Sequence, residues 1–427
     1  MDYKALESLN YWTSEPKNLG LQRSHYLSRL EAYDQTDSLI VISGARRSGK
    51  SVLMKQWIAL KIQEGVPRMN ILFFNFFVQK LSFFTKEANL LLAIEKWQKE
   101  TDSQYKKYII IDEIQEVEDW DLVVASLFED HTLDAKILIT GSNSQLLAND
   151  ATSRLSGRYF SLTMYPFSYL EFCQIKKTSP DDSFSSYLES SSSPELCLVD
   201  DPEAKENLMR GIINTTIQKD IIERYNPSNP ALLSRIIKYI RLNSSNQFSI
   251  KAITDSLNNQ LKKTDSVSLN TVEKYLEYIK TVYFCHECPT YSYRKKEVLE
   301  RNSNKYYLND TGMSLFLEGF EKGRIFENVI YLELLKKGYE VKTYFAYKSR
   351  NREVDFHATK SKRSLFIQVT WMLSDKSENK SLWDREIGNL ESINQAGEKV
   401  VVCMDGDDHE RIGDIVILSP VKFVTHI

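Results

Sequence analysis

Two short stretches of this sequence carry residue types that chemistry at a phosphate would need. The first is Gly44, Ala45, Arg46, Arg47, Ser48, Gly49, Lys50, Ser51 and Val52, which satisfies the pattern G-x-x-x-x-G-K-[ST] without a mismatch. The two glycines let the backbone turn its N–H groups together onto anionic oxygens. Lys50 can reach outer phosphates as a point charge, and the Ser51 hydroxyl can ligate a magnesium ion. The second stretch ends in Asp112-Glu113. One carboxylate can order the metal shell beside Ser51, and Glu113 can polarise an attacking water. Further on, Asn143 closes Thr140-Gly-Ser-Asn143 with an amide able to sense a terminal phosphate, and Arg154 and Arg158 are candidates for stabilising charge on a transferring phosphoryl group. The bland alternatives are a chance glycine turn, a strand ending in solvated acids, and arginines in structural ion pairs.

For the loop and the acid pair the flanking sequence decides between these alternatives; for the arginines both stay open. Leu39 to Ile42 is an apolar run that breaks at Ser43-Gly44 and resumes as Val52-Leu-Met-Lys-Gln-Trp-Ile-Ala-Leu60, which reads as strand, loop and helix. That helix would add its positive end to the loop. Asn70 to Phe77 and Lys136 to Thr140 read as further buried strands, and Tyr108-Ile-Ile-Ile places Asp112 and Glu113 at a strand's carboxyl end, where open α/β sheets bind ligands. A helical lead-in through Tyr26, Leu27, Leu30 and Tyr33 precedes the first strand, either supporting it or stacking on a base.

A chain of 427 residues is too long for one ordinary core. With 42% hydrophobic and 26% charged residues it has globular composition, and a formal net charge of -3 restricts any nucleic-acid surface to a local patch. No apolar run approaches the roughly 20 residues that span a bilayer, so no membrane partner and a cytoplasmic location are expected. Five cysteines fit a reducing compartment, and Cys285-His-Glu-Cys288, lacking a second pair, reads as packed thiols in preference to a zinc site.

Together, the loop at 44–51, Ile111-Asp-Glu-Ile-Gln115, Thr140-Gly-Ser-Asn143, Leu155-Ser-Gly-Arg158 and Tyr165-Pro-Phe-Ser-Tyr-Leu-Glu-Phe172 resemble the archaeal-type AAA+ ATPases of bacteria and archaea. The resemblance implies an ATP- and Mg²⁺-binding core over residues 1–170 and a nuclease-like domain at the C-terminus.

The remainder divides by pattern. Residues 171–228 read as a helical and linker segment, with the serine-rich 183–194 as a surface loop. Residues 229–312 show three helical stretches and two strands around Tyr291-Ser-Tyr-Arg-Lys-Lys296, which resembles a winged helix. Lys274, Lys280, Arg294, Lys295 and Lys296 can then meet DNA phosphates, with packing between subunits or domains as the alternative role for the module. In residues 313–427, Glu327 on a helix, Asp355 on one strand and Gln368-Val-Thr370 on the next look like a PD-(D/E)xK nuclease core. The pattern's Glu-x-Lys is here Gln368 and Thr370, a neutral amide and a hydroxyl, so only a weak ion at Glu327 and Asp355 and little or no cleavage are expected.

The sequence therefore predicts an α/β protein: a P-loop AAA+ core with a parallel sheet, a winged-helix-like domain and a C-terminal α/β nuclease-like domain. It would bind and hydrolyse ATP, couple nucleotide state to its C-terminal half and engage ATP, ADP and a second copy of itself. An ATP-regulated nuclease and a nucleotide-switched DNA-binding regulator are the rival readings.

Overall fold

The computed structural model describes residues 3–130, 132–147, 157–260, 266–292, 297–298, 303–317, 321–345, 353–373, 383–406 and 411–427. The chain forms two compact units. One comprises Met1–Tyr165 with Thr281–Tyr283, and the other Pro166–Lys280 with Phe284–Ile427.

The first unit is built on five strands, β1 (Leu39–Ser43), β2 (Ile71–Asn75), β3 (Lys107–Asp112), β4 (Ala135–Gly141) and β5 (Tyr159–Thr163), in the order β2-β3-β4-β1-β5. Every pairing is parallel. A parallel sheet needs crossover connections that cover both faces, and the strands accordingly read as unbroken apolar runs. Alternation then sorts those runs into two cores. Leu39, Val41, Leu72, Phe74, Ile109, Ile111, Ile137 and Ile139 pack with Trp97 and Val123, whereas Ile40, Ile42, Ile71, Phe73, Tyr108, Ile110 and Leu138 pack with Leu30, Leu53 and Trp57. The first face is covered by α1 (Tyr3–Leu9), α4 (Glu87–Glu100) and α5 (Trp120–Glu129). The second is covered by α2 (Ser24–Asp34) and α3 (Lys50–Gln63). The lead-in helix α2 buries Tyr26, Leu27 and Leu30, which makes it a packing element.

The second unit begins with α6 (Tyr169–Lys176), started by a capping box between Ser168 and Glu171, and α7 (Pro202–Thr215), capped by Asp201. Helices α8 (Pro230–Leu242), α9 (Ile250–Asn258) and α10 (Leu269–Thr281) follow. Strands β6 (Gln247–Phe248), β7 (Cys285–Cys288) and β10 (Asn304–Leu308) form a three-stranded antiparallel sheet. The larger sheet has eight strands: β8 (Thr290–Ser292), β9 (Glu297–Val298), β11 (Glu340–Phe345), β12 (Glu353–Lys360), β13 (Arg363–Thr370), β14 (Glu398–Cys403), β15 (Arg411–Ile412) and β16 (Ile415–Leu418). Helices α11 (Lys322–Lys336) and α12 (Pro420–His426) complete the unit.

Two expectations change here. The boundary expected at 312/313 does not separate two sheets, because β8 pairs in parallel with β11, Thr290 opposite Thr343. Tyr291 and Ser292, which open the segment read as a basic turn, thus belong to the C-terminal sheet. The serine-rich stretch is also no surface loop: Ser190 to Ser193 are buried around Asp310. The Ser191 hydroxyl and the N–H groups of Ser192 and Ser193 all donate to that carboxylate, which holds the run inside, while the Ser190, Ser192 and Ser193 hydroxyls are buried with no partner among the described residues.

Cys285 and Cys288 lie at the two ends of β7, fully buried, and burial pushes both thiols up to about 12. A thiol held protonated does not attack electrophiles. Iodoacetamide at pH 8 should therefore alkylate Cys285 and Cys288 about a thousandfold more slowly in the native protein than in denaturant, as read by peptide mass spectrometry. Rapid native labelling would contradict this packing.

Candidate functional site

The carboxyl ends of β1, β3 and β4 are neighbours in the sheet, with β4 between the other two. Beyond β1 the chain turns at Gly44, and α3 starts at Lys50 with Gly49 as its N-cap at φ 101°. A side chain is disfavoured at that angle, which is why glycine stands there. Gly44 is required for a different reason. A Cβ placed on it would lie 2.2 Å from the Met164 carbonyl oxygen, since β5 runs directly alongside and the Met164 N–H donates to Ser43 O at 2.7 Å. Arg23, buried beneath the loop, braces it by donating to Ser48 O at 3.3 Å and to Tyr165 O at 3.2 Å.

Lys50 is buried at the head of α3. Its ammonium donates to Gly44 O at 2.9 Å and Ala45 O at 3.1 Å, and lies 3.6 Å from Glu113 Oε1. Asp112 is fully buried at the end of β3. Its Oδ1 accepts from the Thr140 hydroxyl, and the Ser51 hydroxyl is close enough to stabilise its charge. Its other oxygen, Oδ2, has no hydrogen-bond partner among the described residues. Glu113 adopts the left-handed conformation, φ 59° and ψ 53°, which is strained for glutamate by about 1–3 kcal/mol. Its N–H donates to Thr140 Oγ1 at 3.1 Å, and Gln115 donates to its carboxylate.

These surroundings separate the two acids electrostatically. Burial, then the neighbouring Glu113 charge, raises the Asp112 carboxyl above its ordinary range despite Ser51, Thr140 and Lys50. Burial pushes Glu113 the same way, but Lys50, Gln115, Arg46 and Ser142 together outweigh it and hold Glu113 below the usual carboxylate range. Glu113 thus stays ionised, as a group that polarises water must. An orphaned, buried carboxylate oxygen beside a serine hydroxyl is also a donor set suited to a hard divalent cation such as magnesium.

The loop residues Gly44 to Val52, Asp112 and Glu113 are therefore brought together. Asn143 is buried just beyond β4. Arg46 lies close enough to Glu113 to affect its charge and also sits 5.7 Å from the Phe77 ring. Arg158 is not brought to this loop. It precedes β5 at the strand's starting end, with Leu39 N donating to its carbonyl, and its guanidinium pairs with Glu129 over the Phe128 ring. Arg154 lies outside the described residues. Thr140, Gln115 and Arg23 are the positioning residues that sequence reasoning did not single out. For Thr140 the signal was its place in the run that ends at Asn143.

In the second unit Glu327, Asp355 and Gln368 also converge, although not around an open position. Gln368 Nε2 and Val369 N donate to Asp355 Oδ2 at 2.8 and 3.0 Å. Thr370 turns away and donates to Met372 O at 3.0 Å. Lys305, which the sequence reading passed over, reaches both Glu327 and Asp355. Burial pushes the Glu327 carboxyl up to about 7, with Lys305 opposing. Of the candidate phosphate contacts, Lys280 is held between Glu277 and Glu287 and Lys274 sits over the Tyr278 ring, while 293–296 lie outside the described residues.

Residues 36–173 match the family model described as an AAA domain, and residues 181–324 match a domain of unknown function, DUF8612. A Haemophilus influenzae protein, named only as uncharacterised, is 30% identical over 412 residues, covering 95% of this chain and 98% of that one. The chain belongs to this family of AAA-domain proteins. An uncharacterised Methanocaldococcus jannaschii protein is 29% identical over 406 residues, 88% of this chain and 86% of that one. A Walker-type ATPase of Pyrococcus abyssi is a more distant likeness, with 16% identity, a TM-score of 0.46, and coverage of 70% of this chain and 97% of that chain. The DUF8612 match runs as one piece through the segments expected as linker and winged-helix-like domain. No helix among the described residues of this AAA-domain protein is long and apolar enough to cross a membrane.

Two outcomes follow from the geometry. Gly44→Ala must displace the Met164 carbonyl and should cost about 1–3 kcal/mol, seen as a lowered melting temperature; an unchanged melting temperature would show that β5 yields freely. Thr140→Val leaves the Glu113 N–H and the Asp112 carboxylate short of a partner. It should cost about 1–3 kcal/mol, read as a lowered melting temperature, and an unchanged melting temperature would show that neither bond matters to the fold.

Proposed function

We propose that this AAA-domain protein binds ATP with Mg²⁺ on the loop from Gly44 to Ser51 and hydrolyses it. The observation that carries the reading is the juxtaposition of Lys50, Glu113 and Asp112, with the Asp112 Oδ2 atom buried and unsatisfied beside Ser51. The loop amides and the amino end of α3 would take the phosphate oxygens, and the Lys50 ammonium would move its charge from Gly44 O and Ala45 O onto the outer phosphates. Asp112 and Ser51 would hold magnesium, which neutralises charge on those phosphates when bound. Glu113, held ionised by Lys50, would orient a water and accept its proton, and Asn143 would hydrogen-bond the terminal phosphate. ADP would leave the loop's charge less fully matched, and that difference would bias the second unit between two arrangements. A charge-stabilising role for Arg158 would then be exercised on a second copy of the chain, because its own loop lies at the other end of β1.

The decisive comparison uses two variants. Lys50→Ala should weaken ATP binding about 100-fold, whereas Glu113→Gln should bind ATP as tightly as the parent and lose about 10²–10⁴-fold in turnover. Undiminished hydrolysis by Glu113→Gln would remove the assignment of the base.

A further inference from the structure

Away from the nucleotide loop, the second unit buries one lysine among three acids drawn from two elements. Lys305 stands on β10 with its side chain 6% exposed. Its Nζ lies 2.8 Å from Glu327 Oε1 on α11, 2.8 Å from Glu353 Oε1 and 3.1 Å from Asp355 Oδ1, both on β12. An ammonium has three N–H donors and no acceptor, so three carboxylates saturate it. Other donors meet two of the same carboxylates: the Tyr307 hydroxyl donates to Glu327 Oε1 at 2.6 Å, and Gln368 and Val369 take Asp355 Oδ2. Beside them Glu386 is buried, with Arg385 on Oε1 and no partner for Oε2 among the described residues.

Helix acid and strand acid were expected to hold a weak ion, and the residues present do not fit one. A hard cation would need oxygens at roughly 2.0–2.6 Å around a point that the ammonium already fills. Two cations do not share one position. Among the described residues no group of three or more His, Cys, Asp or Glu side chains is arranged to hold a metal.

We propose that Lys305 is a tethered cation, supplied by β10 in place of a metal ion, which neutralises Glu327, Glu353 and Asp355 and keeps this acid cluster metal-free. The lysine joins β10 of the small sheet to α11 and β12 of the large assembly, so the contact ties together elements that hydrogen bonding between strands leaves separate. Removing the ammonium while leaving the three carboxylates should convert the cluster into a site for an oxygen-preferring divalent cation, with Glu386 Oε2 available as a further ligand. The same geometry disfavours metal-dependent strand cleavage here, because the ion that such cleavage would use is displaced by a covalently attached charge.

The full-length chain, freed of metal with chelator, is the material for the test, and MnCl2 is the probe. In the wild type, the number of Mn²⁺ ions bound, counted by electron paramagnetic resonance, should be the same with and without Asp355→Asn. A count that falls by one in Asp355→Asn would overturn the proposal, since the acids would then hold a metal beside Lys305. Lys305→Met should melt below the wild type in chelator and recover by about 5 °C or more with saturating Mn²⁺. That recovery should vanish in Lys305→Met/Asp355→Asn. A folded Lys305→Met that ignores Mn²⁺ would also overturn it. If Lys305→Met does not fold, the wild-type count still decides, and Lys305→Met/Glu327→Gln/Asp355→Asn, with its charges removed, should fold without metal.

Discussion

The first unit depends on burying two adjacent carboxylates at the end of one strand. Asp112 is wholly inside and Glu113 partly so, and charges in such surroundings persist only when fixed donors meet them. Thr140 supplies that on one side by donating to Asp112 and accepting from the Glu113 N–H. Lys50 supplies it on the other, and the loop that carries Lys50 can close only because Gly44 lets β5 approach. The strand order puts β4 between β1 and β3, so a single threonine spans from the loop's strand to the acids' strand. Sheet topology, glycine spacing and acid chemistry are thus one arrangement, in which Glu113 meets Lys50 from a left-handed backbone conformation.

The same reasoning separates the two acid clusters of the molecule. Around Asp112 an oxygen is left without a donor, and the nearby cation, Lys50, is bound to loop carbonyls that a phosphate can replace. Around Asp355 every donor of the ammonium is engaged and the amide of Gln368 closes one carboxylate. One cluster is arranged to exchange partners and the other to keep them. Breaking a buried ion pair by removing one member costs about 3–5 kcal/mol, so the second cluster reads as part of what holds its unit together.

The phosphate loop and the acid pair were legible in the sequence because each is a local pattern set on a strand whose continuous apolar run announces burial on both faces. Strands β11, β12 and β13 were legible from short β-branched and aromatic stretches that interleave apolar with polar residues. What stayed hidden depends on contacts between distant parts of the chain. Lys305 lies in a segment that reads as a simple strand, and only folding brings it to Glu327 and Asp355. Ser190 to Ser193 have loop composition, yet Asp310, more than a hundred positions later, accepts from the Ser191 hydroxyl and the N–H groups of Ser192 and Ser193 and so anchors them inside. Arg158 follows the expected motif but precedes its strand, and parallel pairing sends it to the end remote from the loop. The strands at Tyr291 look like a wing until their pairing with β11 is known.

The most direct measurement is a calorimetric titration of the purified wild-type chain with ATP, with and without magnesium. One saturable site per chain, tightened by magnesium, is the predicted result. Absence of binding in either condition, or an affinity indifferent to magnesium, would contradict the assignment of Ser51 and Asp112 and the nucleotide site built on them.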